Sequence, residues 1–345
     1  ESTASKIVIG REEIERQGDS TVGEILKRMP GITMGGVPGR GGGIRMRGLS
    51  QGYTQILLDG QRVPPGFSIE SITPEMVERI EIYRAPTAET GAQAIAGTIN
   101  IITREGRRGM PSELKAGASW QGGYASPNAS LVQYRDAENW SANYTLSVNR
   151  YAAPDHSDTY FTSTTNAVDR HRSNDSHYQR EGVNATARLQ FKGDPGESLT
   201  LMPFVGLSRG STAGHVIVDQ TSTGQSPLTN GSTTGTTQND NHFAIARMNG
   251  QWRRKLSSDS NVEWKFNGGG WNSRTDYTQN ALNTGLLPSY AEQSDIKDRS
   301  ASVSGKYTNV LGGGHQWVSG SEVESVRRTQ VAVNNITGLS GSADL

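Results

Sequence analysis

The side chains able to do chemistry are concentrated in a few stretches. His156, Asp158, Asp169, His171 and His177 bring imidazole and carboxylate, the ligand types of a metal centre, into one polar segment. No close HxH or HxxxH pair frames them, so a solvated loop is the expected state and no metal site is assigned. Gly35 to Gly43 is a glycine run carrying Arg40, a backbone that can approach another group closely. No Gly-Lys-Ser/Thr follows and no helical pattern opens there, which argues against a phosphate cradle. Pro64-Pro65-Gly66 holds Phe67 at a second loop tip. No nucleophile elbow, zinc-protease motif or paired-carboxylate frame is present. The chain has no cysteine, hence no disulfide framework or thiolate metal site. These observations point to binding rather than catalysis, with no cofactor.

The elements that must position these residues fall into two compositions. Up to about residue 110 the pattern is a small α+β unit. Ile7 to Ile9 reads as a strand and Arg11 to Gln17 as a polar helical piece. Val22, Ile25, Leu26 and Met29 mark one face of a helix that Pro30-Gly31 ends. Ile44 to Arg47 and Thr54 to Leu58 alternate like strands, and Asp59-Gly60 is a hairpin turn. Thr73-Pro74-Glu75 reads as a helix start. Arg79 to Thr103 then closes the unit as strand, small-residue turn and strand.

The order LKRMPGI, IRMRG, ILLDG, VERIEIYRAP, AGTINIITRE resembles the plug domain of TonB-dependent outer-membrane receptors, over about a third of the chain. It departs from the family at Arg84-Ala85-Pro86, where Arg-Gly-Pro is usual, at Glu89-Thr90-Gly91, usually Leu-Tyr-Gly, and at Ala96-Gly97, usually Gly-Gly. The resemblance implies a plug over residues 1–108 and the N-terminal portion of an outer-membrane β-barrel over 109–345, hinged at Thr103-Arg104-Glu105. By position in the family plug, Arg40, the Gln51-Gly52-Tyr53 tip and Phe67 become outward apices. A guanidinium with two aromatics suits an anionic, aryl-bearing ferric chelate. Arg47 and Arg84 become plug–barrel lock arginines whose partner glutamates are expected beyond residue 345.

The second part can be tested against that reading. Trp140, Ala142, Tyr144, Leu146 and Val148 alternate with polar residues, as do Val183, Ala185, Ala187, Leu189 and Phe191. This is the period of strands with one apolar face. Short turns near 136–138, 193–196, 257–259 and 312–314 alternate with Ser/Thr/Asn/Gly-rich stretches near 153–178, 212–240 and 275–295, read as long loops. Short connections on one rim and long ones on the other fit a membrane barrel. A mean hydropathy of −0.60 is compatible with it, because only alternate residues face lipid. No run is long enough for a spanning helix.

About nine strands are expected, from an incomplete 22-stranded barrel, and the chain is expected to be the N-terminal part of a longer receptor. The resemblance implies a receptor of the Gram-negative outer membrane, not an enzyme. Its partners would be outer-membrane lipid, a scarce ligand with a ferric siderophore favoured, and TonB, engaging a box upstream of Glu1. Cobalamin, sugars and copper chelates stay open as ligands. A passive channel or adhesin, or a surface-signalling receptor, are the competing classes. Equal numbers of basic and acidic residues, 34 each, give no reason to expect nucleic acid.

Overall fold

The computed structural model describes residues 6–16, 22–34, 44–49, 53–63, 69, 72, 74–84, 95–103, 112–163, 168–222, 230–282, 286–311 and 315–337. The N-terminal unit opens with β1 (Lys6–Gly10), α1 (Arg11–Arg16) and α2 (Val22–Lys27). Then come β2 (Ile32–Met34), β3 (Ile44–Met46), β4 (Thr54–Leu58) and β5 (Gln61–Arg62). A 3₁₀ turn at Pro74–Met76 leads into β6 (Val77–Tyr83), and β7 (Gly97–Thr103) closes the unit. The helix start read at Thr73-Pro74-Glu75 is therefore only this turn. Val77 already enters the sheet, and β-branched and charged residues follow in strand alternation.

Five strands form a sheet in the order β1-β6-β7-β4-β5, and β2 pairs with β3 apart from it. Its centre, β7, is parallel to β4 and antiparallel to β6. That central place explains why GTINIIT is buried almost throughout, with Ile99 and Ile101 fully buried. Asp59 and Gly60 both take positive φ, 51° and 79°, and Leu58 pairs with Gln61, the two-residue turn that Asp-Gly encodes.

Gly97 has no room for a side chain. Its φ is +135°, and a Cβ would lie 2.5 Å from the Tyr83 carbonyl oxygen and 2.8 Å from Met46 Cε. Gly97→Ala should cost the unit roughly 2–3 kcal/mol through strain and clash with an immovable backbone atom. Hydrogen exchange of the β6–β7 amides reads this directly; wild-type protection in the variant would refute it.

The second part is one antiparallel sheet in sequential order, β8 (Glu113–Gln121), β9 (Tyr124–Asp136), β10 (Trp140–Ser163), β11 (Val168–Lys192), β12 (Glu197–Ser222), β13 (Gly231–Lys255), β14 (Ser260–Ala281), β15 (Ser289–Val310) and β16 (Gln316–Thr337). The nine strands match the expected number. Their lengths do not match. The described residues of the stretches read as long loops are mostly strand: β10 to β16 run 22 to 26 residues each. A span needs only about 9–11 residues. The ladder is made by backbone groups, so Ser, Thr and Asn extend it where neither face needs to be apolar. The asymmetry expected of the loops is carried by the strands, which project far beyond one side of the apolar band.

The pairing of β10 through β14 runs without a register shift, so each side chain's face follows from parity. One face carries Tyr144, Leu146, Val148, Val183, Val205, Leu207, Met248 and Trp264, all more than a third exposed. On β10 this outward set runs from Trp140 to Val148, about 20 Å of thickness at the usual strand tilt, near the height of a barrel's apolar band. The other face, with Asn143, Thr145 and Ser147 buried, looks toward the N-terminal unit. Phe204, Ile245 and Trp271 on that face share one hydrophobic cluster with Ile9, Leu26, Ile80 and Ile101. The small domain is seated against the inner wall of the sheet.

Candidate functional site

Two regions of the inner face could do something: the seat of the small domain and the polar wall beyond it. At the seat, Asp59 sits at the tip of the β4–β5 turn. One carboxylate oxygen accepts the Thr103 amide at 2.9 Å, and the other accepts the Thr103 hydroxyl at 2.7 Å. The first oxygen also faces the Arg188 guanidinium of β11 at 3.7 Å, with Asp59 and Arg188 side chains only 6% and 16% exposed. A single carboxylate thus ties the last residue of β7 to the turn and both to the sheet wall. The Asp-Gly turn was legible in the sequence, but its partner lies 129 positions away (188 − 59) and no local signal marks it.

A second knot lies inside the small domain. Glu81 on β6 receives the Tyr83 hydroxyl at 2.8 Å, Arg79 Nε at 2.9 Å, Lys6 Nζ at 3.1 Å and Asn100 Nδ2 at 3.4 Å. Burial alone would push this carboxyl up. The hydrogen bonds from Arg79, Tyr83 and Lys6 outweigh it and bring the pKa down to about 2. Glu81 holds β1 to β6, where Lys6 pairs with Tyr83.

The residues expected from sequence to bind or lock are placed as follows. Arg40, Gln51 and Phe67 lie outside the described residues. Tyr53 stands just before β4, 44% exposed, its carbonyl accepting the Ala96 amide at 3.0 Å. Arg47 follows β3 at φ +54°, exposed, its amide donating to the Gly31 carbonyl at 2.8 Å. Arg84 directly follows β6, half-buried. Neither arginine forms an ion pair among the described residues. Thr103 is the last described residue of the expected hinge, and Arg104 and Glu105 lie outside the description.

The inner wall beyond the seat was missed by sequence reading, because most of its residues were assigned to loops. Arg170, Arg172, Tyr178 and Arg180 of β11 share the inward parity with Tyr151 of β10 and Tyr277 of β14. Arg170 donates to Gln220 Oε1 at 2.6 and 3.0 Å, and Arg172 to Gln279 Oε1 at 3.1 Å. Gln220 and Gln279 are 2% and 1% exposed. These two guanidinium groups are oriented by neutral oxygens, so their charge stays available to an anion. Tyr151 and Tyr178 stand 6.0 Å apart, and Tyr277 and Tyr290 5.3 Å.

The histidine cluster is also strand rather than loop. His156 Nδ1 meets Asp175 at 2.6 Å and its Nε2 meets Asp158 at 2.7 Å; His171 Nε2 meets the other Asp158 oxygen at 2.8 Å. Asp175 had not been singled out. His177 instead stacks on Tyr124, ring centroids 4.0 Å apart. Among the described residues no group of three or more His, Cys, Asp or Glu has a metal-holding arrangement.

A plug-like domain seated on the inner face of a long-stranded antiparallel sheet matches a known family in sequence as well. The model of the TonB-dependent receptor plug domain matches residues 1–98. Residues 1–98 are a TonB-dependent receptor plug domain, and nine long antiparallel strands follow them. The vitamin B12 transporter BtuB of Vibrio vulnificus is 35% identical over 124 residues, 34% of this chain and 20% of that protein. The iron-regulated outer membrane virulence protein of Vibrio cholerae is 38% identical over 118 residues, 30% of this chain and 17% of that protein. These alignments span a fifth or less of the relatives' own length. Among solved structures, the unliganded ferric citrate transporter FecA aligns at TM-score 0.47 and 12% identity, over 97% of this chain and 60% of that one. The siderophore receptor PiuA from Acinetobacter baumannii aligns at TM-score 0.40 and 12% identity, over 95% and 62%. The matched plug domain is that of receptors of the Gram-negative outer membrane.

Proposed function

We propose that this receptor imports a scarce ligand by displacement of its plug, pulled from the inner membrane through TonB, with residues 1–108 as plug and 109–345 as wall. The observation that carries this reading is the seat: an apolar cluster shared by plug and wall, with the Asp59–Arg188 ion pair across it. Such a contact obstructs a lumen and can still be broken as a unit. A passive channel has no use for it. The open edges of β8 and β16 require further strands to close the sheet in hydrocarbon.

For the ligand, the inner wall favours an anion with aromatic character, and a ferric siderophore has that chemistry. Arg170 and Arg172 supply charge, and Tyr151, Tyr178, Tyr277 and Tyr290 supply ring faces. On the plug, Arg40, Gln51, Tyr53 and Phe67 are proposed to face the same space, and Arg47 and Arg84 to lock to wall carboxylates. Cobalamin is the second reading, favoured by the BtuB relative alone.

The test is uptake of ⁵⁵Fe-labelled ferric siderophores and of ⁵⁷Co-cobalamin in cells with and without the receptor and TonB. Uptake of one iron chelate that needs both supports the reading; TonB-independent leakage of all solutes would discard it. Arg170→Ala with Arg172→Ala should weaken binding of an anionic ligand about tenfold to hundredfold, as two charge-assisted contacts are lost. Unchanged binding would remove the wall from the site.

A further inference from the structure

The last residues before β15 turn back onto the inner wall. Leu287 is buried in a small apolar cluster with Val216 and Val218 of β12, and Ala281 and Leu286 pack against it. Gly235 of β13, paired with Val216, leaves the room: a Cβ there would lie 2.5 Å from Leu287 Cδ2. Polar contacts hold the chain on both sides of the leucine. The Leu286 amide donates to Thr233 Oγ1 at 2.9 Å, and the Pro288 carbonyl accepts Gln279 Nε2 at 2.9 Å. This cluster is separate from the one that seats the plug.

Gln279 joins the cluster to the cationic part of the wall. Its Nε2 is committed to Pro288, so its Oε1 is turned the other way, where it accepts Arg172 Nη2 at 3.1 Å and the Tyr277 hydroxyl at 3.3 Å. An amide can donate on one side and accept on the other. A carboxylate has no hydrogen to give Pro288 and would offset the charge of Arg172. Tyr277 adds no charge either: burial first, then a hydrogen bond to Tyr290, push its phenol up to about 12. The Arg172 side chain starts on β11 and ends against β14, crossing β12 and β13, the strands that carry the Leu287 socket. Arg170 differs. Its acceptor Gln220 is its direct partner on β12, so its orientation is local. A long, rotamer-rich arginine keeps one direction only while a distant acceptor is held still.

We propose that Leu287 and Gln279 are positioning residues, which hold the Arg172 guanidinium toward an anionic ligand. The inference deepens the wall reading above and rests on it. Without the Leu287 side chain the Pro288 carbonyl loses its place and the Gln279 amide can turn. Arg172 then keeps its charge but not its direction. Anion affinity falls through lost preorganisation, with no ligand contact removed.

The test uses the full receptor in detergent and a ferric tris-catecholate trianion as probe, with binding read by quenching of tryptophan fluorescence. Leu287→Ala should weaken binding about threefold to tenfold, and Gln279→Glu about as much as Arg172→Ala, roughly tenfold. The deciding comparison is a thermodynamic cycle. In an Arg172→Ala background Leu287→Ala should change affinity less than about twofold, while in an Arg170→Ala background its full effect should persist. A purely structural role would weaken binding equally in both backgrounds, and that result would overturn the proposal. So would wild-type affinity of Leu287→Ala where Arg172→Ala binds weakly. Failure of the wild type to bind the trianion, or unchanged binding when Arg170 and Arg172 are both alanine, would instead remove the wall reading itself, and the proposal with it.

Discussion

Replacing Asp59 with asparagine should loosen the plug from the wall by about 2–4 kcal/mol while leaving the β4–β5 turn intact. Asparagine tolerates the left-handed backbone at φ +51° almost as well as aspartate, so the turn survives. The charge does not. Arg188, only 16% exposed, loses the Asp59 charge, and breaking one side of a buried pair costs several kcal/mol even where the pair itself is worth little. The Thr103 amide and hydroxyl, at 2.9 and 2.7 Å, keep only one acceptor oxygen between them. Arg188→Met removes the opposite partner, and the double variant closes a thermodynamic cycle. A coupling of about 1–3 kcal/mol is expected, read as hydrogen-exchange protection of Thr103 and Gly60 in the membrane-inserted receptor. Leakage of large antibiotics into cells carrying Asp59→Asn should rise in parallel. Coupling under about 0.5 kcal/mol would mean the seat is held by the apolar cluster alone.

That contact also marks the boundary of what the sequence discloses. The Asp-Gly turn, the central apolar strand at Gly97–Thr103 and the alternation from Trp140 to Val148 are local patterns, and each was legible. The partner of Asp59 depends on how the sheet wraps the plug, which no spacing records. The wall residues Arg170, Arg172 and Tyr277 were hidden for another reason. Alternation betrays a strand only where one face is apolar, and beyond the band both faces of β11 and β14 are polar. Ser/Thr/Asn-rich composition there looks like loop, while the backbone ladder continues unaffected.

Glu81 sets how the plug responds to acid, and the sign follows from its partners. Its folded pKa of about 2 lies below the value of 4.5 ordinary for the free side chain. A depressed carboxylate pKa stabilises the folded form above the unfolded value, and that contribution is lost as pH falls through the folded one. The plug should thus keep Glu81's contribution at pH 7 and lose it between about pH 4.5 and pH 2. The shift corresponds to about 3 kcal/mol, trimmed to roughly 2 by solvent around the part-exposed Lys6 and Arg79. Glu81→Gln should remove that contribution at pH 7 and flatten the response to acid across this window. Exchange of the β1 amides at pH 7 and pH 3 measures both effects, since Lys6 and Glu81 bind β1 to the sheet. A wild-type response to acid in the variant would contradict the assignment. The location matters for transport. β1 is an edge strand that pairs with β6 alone among the described residues, and it is the first described strand of the plug, on the side where the proposed mechanism places the pull. Force arriving there meets a five-residue ladder and the Glu81 knot before it reaches the buried centre at Ile99 and Ile101. Glu81→Gln should therefore lower the force at which β1 detaches, while Asp59→Asn acts at the far end, where the plug meets the wall.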